Sequence, residues 1–105
     1  MKVNIKSTNL DLTPEIKKAI EEKIATLDKF IPHIDGSLEA FFEVAVETRH
    51  HKKGKIYYAE ANIKVPGRIL RSEARDENIY KAINAVKDEL QAILKKHKEK
   101  QLPNF

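Results

Sequence analysis

The chain has no cysteine, three glycines and four prolines among its 105 residues, and these shortages exclude several kinds of chemistry. Without cysteine there can be no disulfide, no thiolate catalysis and no Cys-ligated zinc. Gly36, Gly54 and Gly67 stand too far apart to form a phosphate-binding loop. No apolar run approaches the roughly 18 residues of a membrane span. The opening Met1-Lys2-Val3-Asn4-Ile5-Lys6 alternates apolar and polar residues and lacks the apolar block of a signal peptide. No nucleophile motif appears, and no His–acid pair has telling spacing, so neither an enzyme nor a small-molecule substrate or cofactor is expected. His50 and His51 invite a metal reading, but neighbours on a strand point to opposite faces and no third ligand follows at a recognisable spacing. The expectation is one soluble, cytoplasmic domain with a single core, covering 1–101, and a short tail at 102–105.

Charge is what the chain has in quantity. Charged residues make up 34%, and 20 Lys+Arg against 16 Asp+Glu leave a net charge of +4. So small an excess acquires meaning only through clustering. The densest cluster is the stretch from Lys95 to Lys100, with four lysines and one acid. It closes a segment in which Ile79, Ile83, Val86, Leu90, Ile93 and Leu94 recur at helical spacing. Asp76 is placed to cap that helix, with Glu77 in its first turn, and Pro103 limits continuation past about Gln101. A long packed helix with a basic end suits a polyanion.

The remaining pattern is α+β. Val3 and Ile5 alternate with polar neighbours as a short strand. Thr13-Pro14-Glu15 then opens a helix, Thr13 as N-cap and Pro14 at the first helical position. Ile16, Ile20, Ile24, Leu27 and Ile31 form its apolar stripe, with Ala19 and Phe30 at the border; Pro32 ends it and Asp35-Gly36 turns the chain. Leu38, Ala40, Phe42, Val44 and Val46 alternate with glutamates and Phe41 in a long half-buried strand. A tip without acids, Arg49-His50-His51-Lys52-Lys53-Gly54-Lys55, leads to a strand carrying Tyr57, Ala59, Ala61, Ile63 and Val65 inward. Val65-Pro66-Gly67-Arg68 reads as a type II turn, and Leu70, Ser72 and Ala74 face inward on the last strand. The order β-α-β-β-β-α describes a two-layer sandwich, a four-stranded sheet with both helices on one face. Glu43 and Glu60 belong on the other face.

Helix, three-strand meander and helix resemble a double-stranded RNA-binding domain with an extra strand in front. In that family the last helix begins with lysines, where this chain has Asp76 and Glu77, carboxylates that repel phosphate. Any RNA contact would use the sides and far end of the helices. Over about 100 residues the chain resembles the ribosome hibernation promoting factors and ribosome-associated inhibitors. The matching residues are Val3-Asn4-Ile5, Leu12-Thr13-Pro14, Leu27-Asp28-Lys29-Phe30, Gly67 with Ser72 and Ala74, Asn78-Ile79-Tyr80-Lys81-Ala82-Ile83, and Lys96-His97-Lys98-Glu99-Lys100.

That resemblance implies a factor that binds small-subunit rRNA in the mRNA and tRNA channel and silences translation in stressed or stationary cells. It is expected to be monomeric off the ribosome. Only the RNA-binding domain is matched, without the second, ribosome-dimerising domain of longer members. Lys17, Lys23, Lys29, Lys96, Lys98 and Lys100 fall at positions commonly basic in the family. The family usually carries further basic residues where this chain has Glu89 and Ala92, so Lys81, Lys87 and Lys95 form a reserve set, with Lys52 and Lys53 on the tip. The tip reads equally as a groove-reaching finger or a solubilising hairpin. Exposed Tyr58 and Phe41 read as base-stacking platforms, partly covered sheet aromatics or a self-association patch, and Tyr80 is expected to pack. The competing functions are a protein-interaction module on the open sheet face and a general RNA-binding domain unrelated to hibernation.

Overall fold

A computed structural model describes residues 1–31, 38–48 and 54–101, save the side chains of Thr48, Lys100 and Gln101. The Pro32 stop, the Asp35-Gly36 turn, the 49–53 tip with its histidines and Lys52 and Lys53, and the 102–105 tail lie outside the described residues. The elements run β1 (Lys2–Thr8), α1 (Pro14–Ala25), a 3-10 turn (Asp28–Phe30), β2 (Glu39–Thr48), β3 (Lys55–Val65), β4 (Arg68–Asp76) and α2 (Ile79–Gln101). The sheet order is β1-β2-β3-β4. β1 lies parallel to β2, the direction that passage through α1 allows, and β2, β3 and β4 pair antiparallel. Gly67 has φ +82°, which the third position of a type II turn requires.

Register decides what each face carries. Ile5, Phe42, Ala61 and Ser72 lie in one row across the sheet, and Val3, Ala40, Ile63 and Leu70 in the next. These rows face the helices, with Ala40, Phe42, Ala59, Ala61, Ile63 and Leu70 buried and Val3 and Ile5 half-buried at the β1 edge. Phe42 beside Ala61 is a large–small pairing that lets helices approach the sheet closely. From above, Ile16, Ile20, Ile24 and Leu27 meet Ile79, Ile83, Val86, Leu90 and Leu94 over this floor. Glu43 and Glu60 are on the opposite face, as the alternation requires.

Three local expectations need correction. The first helix does not run to Ile31. The Thr26 hydroxyl donates to the Lys23 carbonyl at 2.6 Å, the Leu27 N–H reaches Ile24 O, and Phe30 N–H reaches Leu27 O, so the chain tightens into a 3-10 turn while the apolar stripe continues. Asp76 does not cap the last helix. Its carboxylate accepts from Asn78 N–H, while Asn78 Oδ1 accepts from the N–H groups of Tyr80 and Lys81 at 2.9 and 3.2 Å and is the true cap. Neither Asp76 nor Glu77 is in the first turn, yet the N–H groups that could hold a phosphate are engaged by Asn78. Finally, Tyr80 stands 48% exposed instead of packing, because it falls on the flank of α2 beyond its buried stripe.

Ser72 is 2% exposed, and its hydroxyl has no hydrogen-bond partner among the described residues. A buried unpaired hydroxyl is a desolvation cost. Ser72→Ala is expected to leave stability unchanged or raise it by up to about 1 kcal/mol. Urea unfolding with an unchanged m-value measures this; a midpoint lowered by the substitution would show that the hydroxyl is satisfied in solution.

Candidate nucleic-acid interface

The two faces of the domain handle charge differently. On the open sheet face, Glu43, Glu60 and Glu73 stand in one row across β2, β3 and β4. Like charges directly opposite one another repel, so such a row persists only if each carboxylate is occupied. Glu43 accepts from Thr8 Oγ1 at 2.9 Å. Glu60 accepts from Asn62 at 2.8 Å, and Arg71 Nη2 donates to both Glu60 and Glu73 at 3.0 Å. The Tyr58 phenol lies between the same two glutamates, donating to Glu60 and within 2.8 Å of Glu73 Oε2. Burial, and then these two carboxylates, push the Tyr58 phenol well above its ordinary value. The hydrogen bond from Tyr58, helped by Asn62 and Arg71, holds Glu60 below the usual carboxylate range against the opposing effect of burial. Arg75 closes the row's other side, bonding Glu47 at 3.2 Å and lying 4.7 Å from the Tyr58 ring centroid. The Tyr58 ring is therefore partly covered by Arg75, as the second of its sequence readings has it. Phe41 remains 39% exposed, with the Lys64 ammonium 5.5 Å from its centroid.

The helix side is the reverse. α2 alone carries six lysines against three acids. Among the described residues its ion pair is the contact of Lys87 with the adjacent Asp88, and that of α1 is Lys18 with Glu22. Lys17, Lys29, Lys81, Lys95, Lys96 and Lys98 are exposed and make no ion pair among the described residues; Lys23 is half-buried and equally unpaired. Arg71 and Arg75 of β4 are spent on glutamates, whereas these seven lysines keep their ammonium groups available.

These lysines do not form one surface. Lys17 and Lys23 are six residues apart, about 120° round the helix, so they flank opposite sides of the Ile16–Ile20–Ile24 stripe. Lys29, on the 3-10 turn, and Lys95, on α2, converge: both ammonium groups sit over the Phe30 ring, 5.2 and 5.3 Å from its centroid. Lys96 follows about 100° further round α2, on the flank shared with Glu89 and Ala92, away from that junction. Lys87 lies toward the Lys95 side, its side chain 17% exposed. The reserve set thus contributes the lysine that joins the two helices, and Lys96 stands apart from Lys29. Lys100 falls outside the described side chains. Phe30, read from sequence as a border residue of the core stripe, was missed as a gathering point, since nothing in its local sequence points to Lys95.

Comparison with known proteins places this geometry. Residues 3–102 match the family described as sigma 54 modulation protein / S30EA ribosomal protein. The chain belongs to this family. A ribosome hibernation promoting factor of Pseudomonas putida is 33% identical over 101 residues, covering 96% of this chain and 90% of that protein. The ribosome hibernation promotion factor of Bacillus subtilis is 32% identical over 100 residues, covering 95% of this chain, which spans half that relative's length. Among solved structures, the N-terminal domain of Thermus thermophilus Protein Y superposes with a TM-score of 0.76 at 28% identity, covering 92% of this chain and 99% of that domain. The resemblance read from Leu27-Asp28-Lys29-Phe30 and Asn78-Ile79-Tyr80 is therefore a true kinship, and the two-layer α+β fold is the family's.

The sheet-face network gives a pH prediction. A carboxylate held below its unfolded value contributes stability that is present above the ordinary carboxylate pKa and lost as pH falls through the folded value. Glu60→Gln should destabilise the domain at neutral pH by no more than about 1 kcal/mol. That difference should begin to shrink as pH falls below the ordinary glutamate value of about 4.3 and vanish at lower pH, where folded Glu60 takes up its proton. Thermal melts of both proteins from pH 7 to 3 check this; a gap that widens on acidification would contradict the network.

Proposed function

We propose that this protein is a ribosome hibernation factor that binds rRNA of the small subunit in the channel used by mRNA and tRNA, silencing translation in stressed or stationary cells. It acts in the cytoplasm by occupancy rather than by catalysis, and off the ribosome it is a monomer. The observation that carries the reading is the separation of charge. Carboxylates on the open sheet face are matched by Arg71, Arg75, Asn4, Thr8 and Asn62, while the lysines of the helix layer are left available for phosphate. Family membership and the relatives' names support the same role. Binding by lysines needs no base-reading set, because each neutralised phosphate releases counterions and adds affinity.

The test is co-sedimentation with isolated subunits across a salt series. Tight binding to the small subunit at low salt, falling steadily as salt rises, is expected, together with falling output from a cell-free translation system as protein is added. A flat salt response, equal binding to the large subunit, or unchanged translation at saturating protein would reject the proposal.

Glu89→Lys restores a charge on the Lys96 flank and should tighten binding and steepen the slope of log K against log salt by about one. Replacing Lys29 and Lys95 together by alanine should flatten that slope by about two. A triple Lys23, Lys29, Lys96 variant that binds like wild type would move the contact surface elsewhere.

A further inference from the structure

Phe30 occupies an unusual position for a half-buried aromatic residue. Its backbone N–H is fixed to Leu27 O at 3.0 Å in the 3-10 turn, and its ring packs against the core edge, so swinging the ring away would cost those core contacts. Two ammonium groups from different elements, Lys29 of the turn and Lys95 of α2, sit over this one ring, 5.2 and 5.3 Å from its centroid. They can be no further apart than twice the longer distance, and no carboxylate pairs with either among the described residues. Two unpaired like charges at such a separation repel. The negative face of the ring, which attracts cations, is the feature on hand that offsets the repulsion.

From this juxtaposition we infer that Phe30 is a positioning residue, whose ring gathers Lys29 and Lys95 into one phosphate-binding pair across the junction of the two helices. The ligand class is the phosphodiester backbone of a nucleic-acid strand, and the inference rests on the RNA-binding reading proposed above. A free lysine loses much side-chain rotamer freedom when it closes on a phosphate. A pair already held over a ring loses less, so its contacts add more to affinity than those of scattered lysines. The pair also places a doubly charged spot on the Lys95 side of α2, about 120° round the helix from Glu89. The structure thus gives this chain a cationic centre at the helix junction, independent of Lys96.

The experiment uses the whole chain with Phe30→Leu, which keeps apolar bulk but removes the ring, and Phe30→Tyr, which keeps the ring. In the wild type and in Phe30→Tyr, the ε-methylene protons of Lys29 and Lys95 should be shifted upfield by the ring current in NMR spectra. In Phe30→Leu both should return to ordinary lysine positions. Small-subunit affinity at fixed low salt should fall about fivefold in Phe30→Leu and stay near wild type in Phe30→Tyr. In a Lys29→Ala/Lys95→Ala background, Phe30→Leu should change affinity no further.

An equal loss in the Lys29→Ala/Lys95→Ala background would reduce Phe30 to a structural residue and overturn the positioning role, as would wild-type affinity in Phe30→Leu. Unshifted lysine methylenes in the wild type would overturn the geometry itself, whatever the binding result. A wild-type protein with shifted methylenes but no affinity for small subunits would instead sink the proposed function, and with it the phosphate assignment of the pair.

Discussion

The β2–β3 register is the constraint from which the rest follows. Pairing Phe42 with Ala61 and Val44 with Ala59 sets a floor of one large side chain among small ones, and the helices pack on it. The same pairing sets Glu43 opposite Glu60 on the other side. A slip of one residue would carry those glutamates beneath the helices and the apolar set into water, a change no local adjustment could offset. Hydrophobic burial therefore fixes the sheet, and the sheet fixes where charge may go. The row of three glutamates is a consequence of the core, and its satisfaction by Tyr58, Arg71 and Asn62 is what makes the consequence tolerable.

The division of labour between arginine and lysine follows from their chemistry. A planar guanidinium can donate to two carboxylates at once, as Arg71 does to Glu60 and Glu73, and can lie over an aromatic ring, as Arg75 does over Tyr58. Both roles consume the charge internally. An ammonium on a flexible stem is a point charge suited to a ligand whose phosphates are spread along a strand. With arginines on β4 and lysines on the helices, the modest net charge of +4 understates the polarity of the molecule. One face is neutralised from within, and the other keeps its charge for a partner.

What could be read from the sequence was what depends on period. The alternation of β2 and β3, the type II turn at Pro66-Gly67 and the Thr13-Pro14 start of α1 all rest on local spacing, and the fold retains each of them. The failures occurred where two neighbours compete for one local role. Asp76 and Asn78 are both good caps; the strand register carries Asp76 as the last residue of β4 and leaves the cap to Asn78. The stripe from Ile16 to Ile31 keeps its apolar order through a 3-10 turn, so periodicity alone could not show that the α-helix ends at Ala25. Tyr80 lies near the buried stripe on a helical wheel, yet among the described residues no facing element covers that flank, and it stays exposed. Phe30 was legible as partly buried but not as a meeting point, because Lys29 and Lys95 are brought together only by the packing of α2 on the 3-10 turn.

That packing also bears on where α2 can carry its charge. On α2, Lys95 and Lys96 are adjacent in sequence but about 100° apart in direction, so a helix can present charge on either flank by exchanging neighbours. This chain carries Glu89 and Ala92 on the Lys96 flank, and Lys87 and Lys95 toward the other. Affinity that comes from counterion release depends on how many cations approach phosphate, more than on which residues supply them. A rotation of the charged stripe then costs little so long as the lysines retain a firm base. The buried residues of α2 cannot move with it, since Ile83, Val86, Leu90 and Leu94 are fixed by the core. The core thus sets the axis of the helix, and the surface lysines are free to differ around it. Phe30 joins the two layers of control, being held by the core and holding the charge.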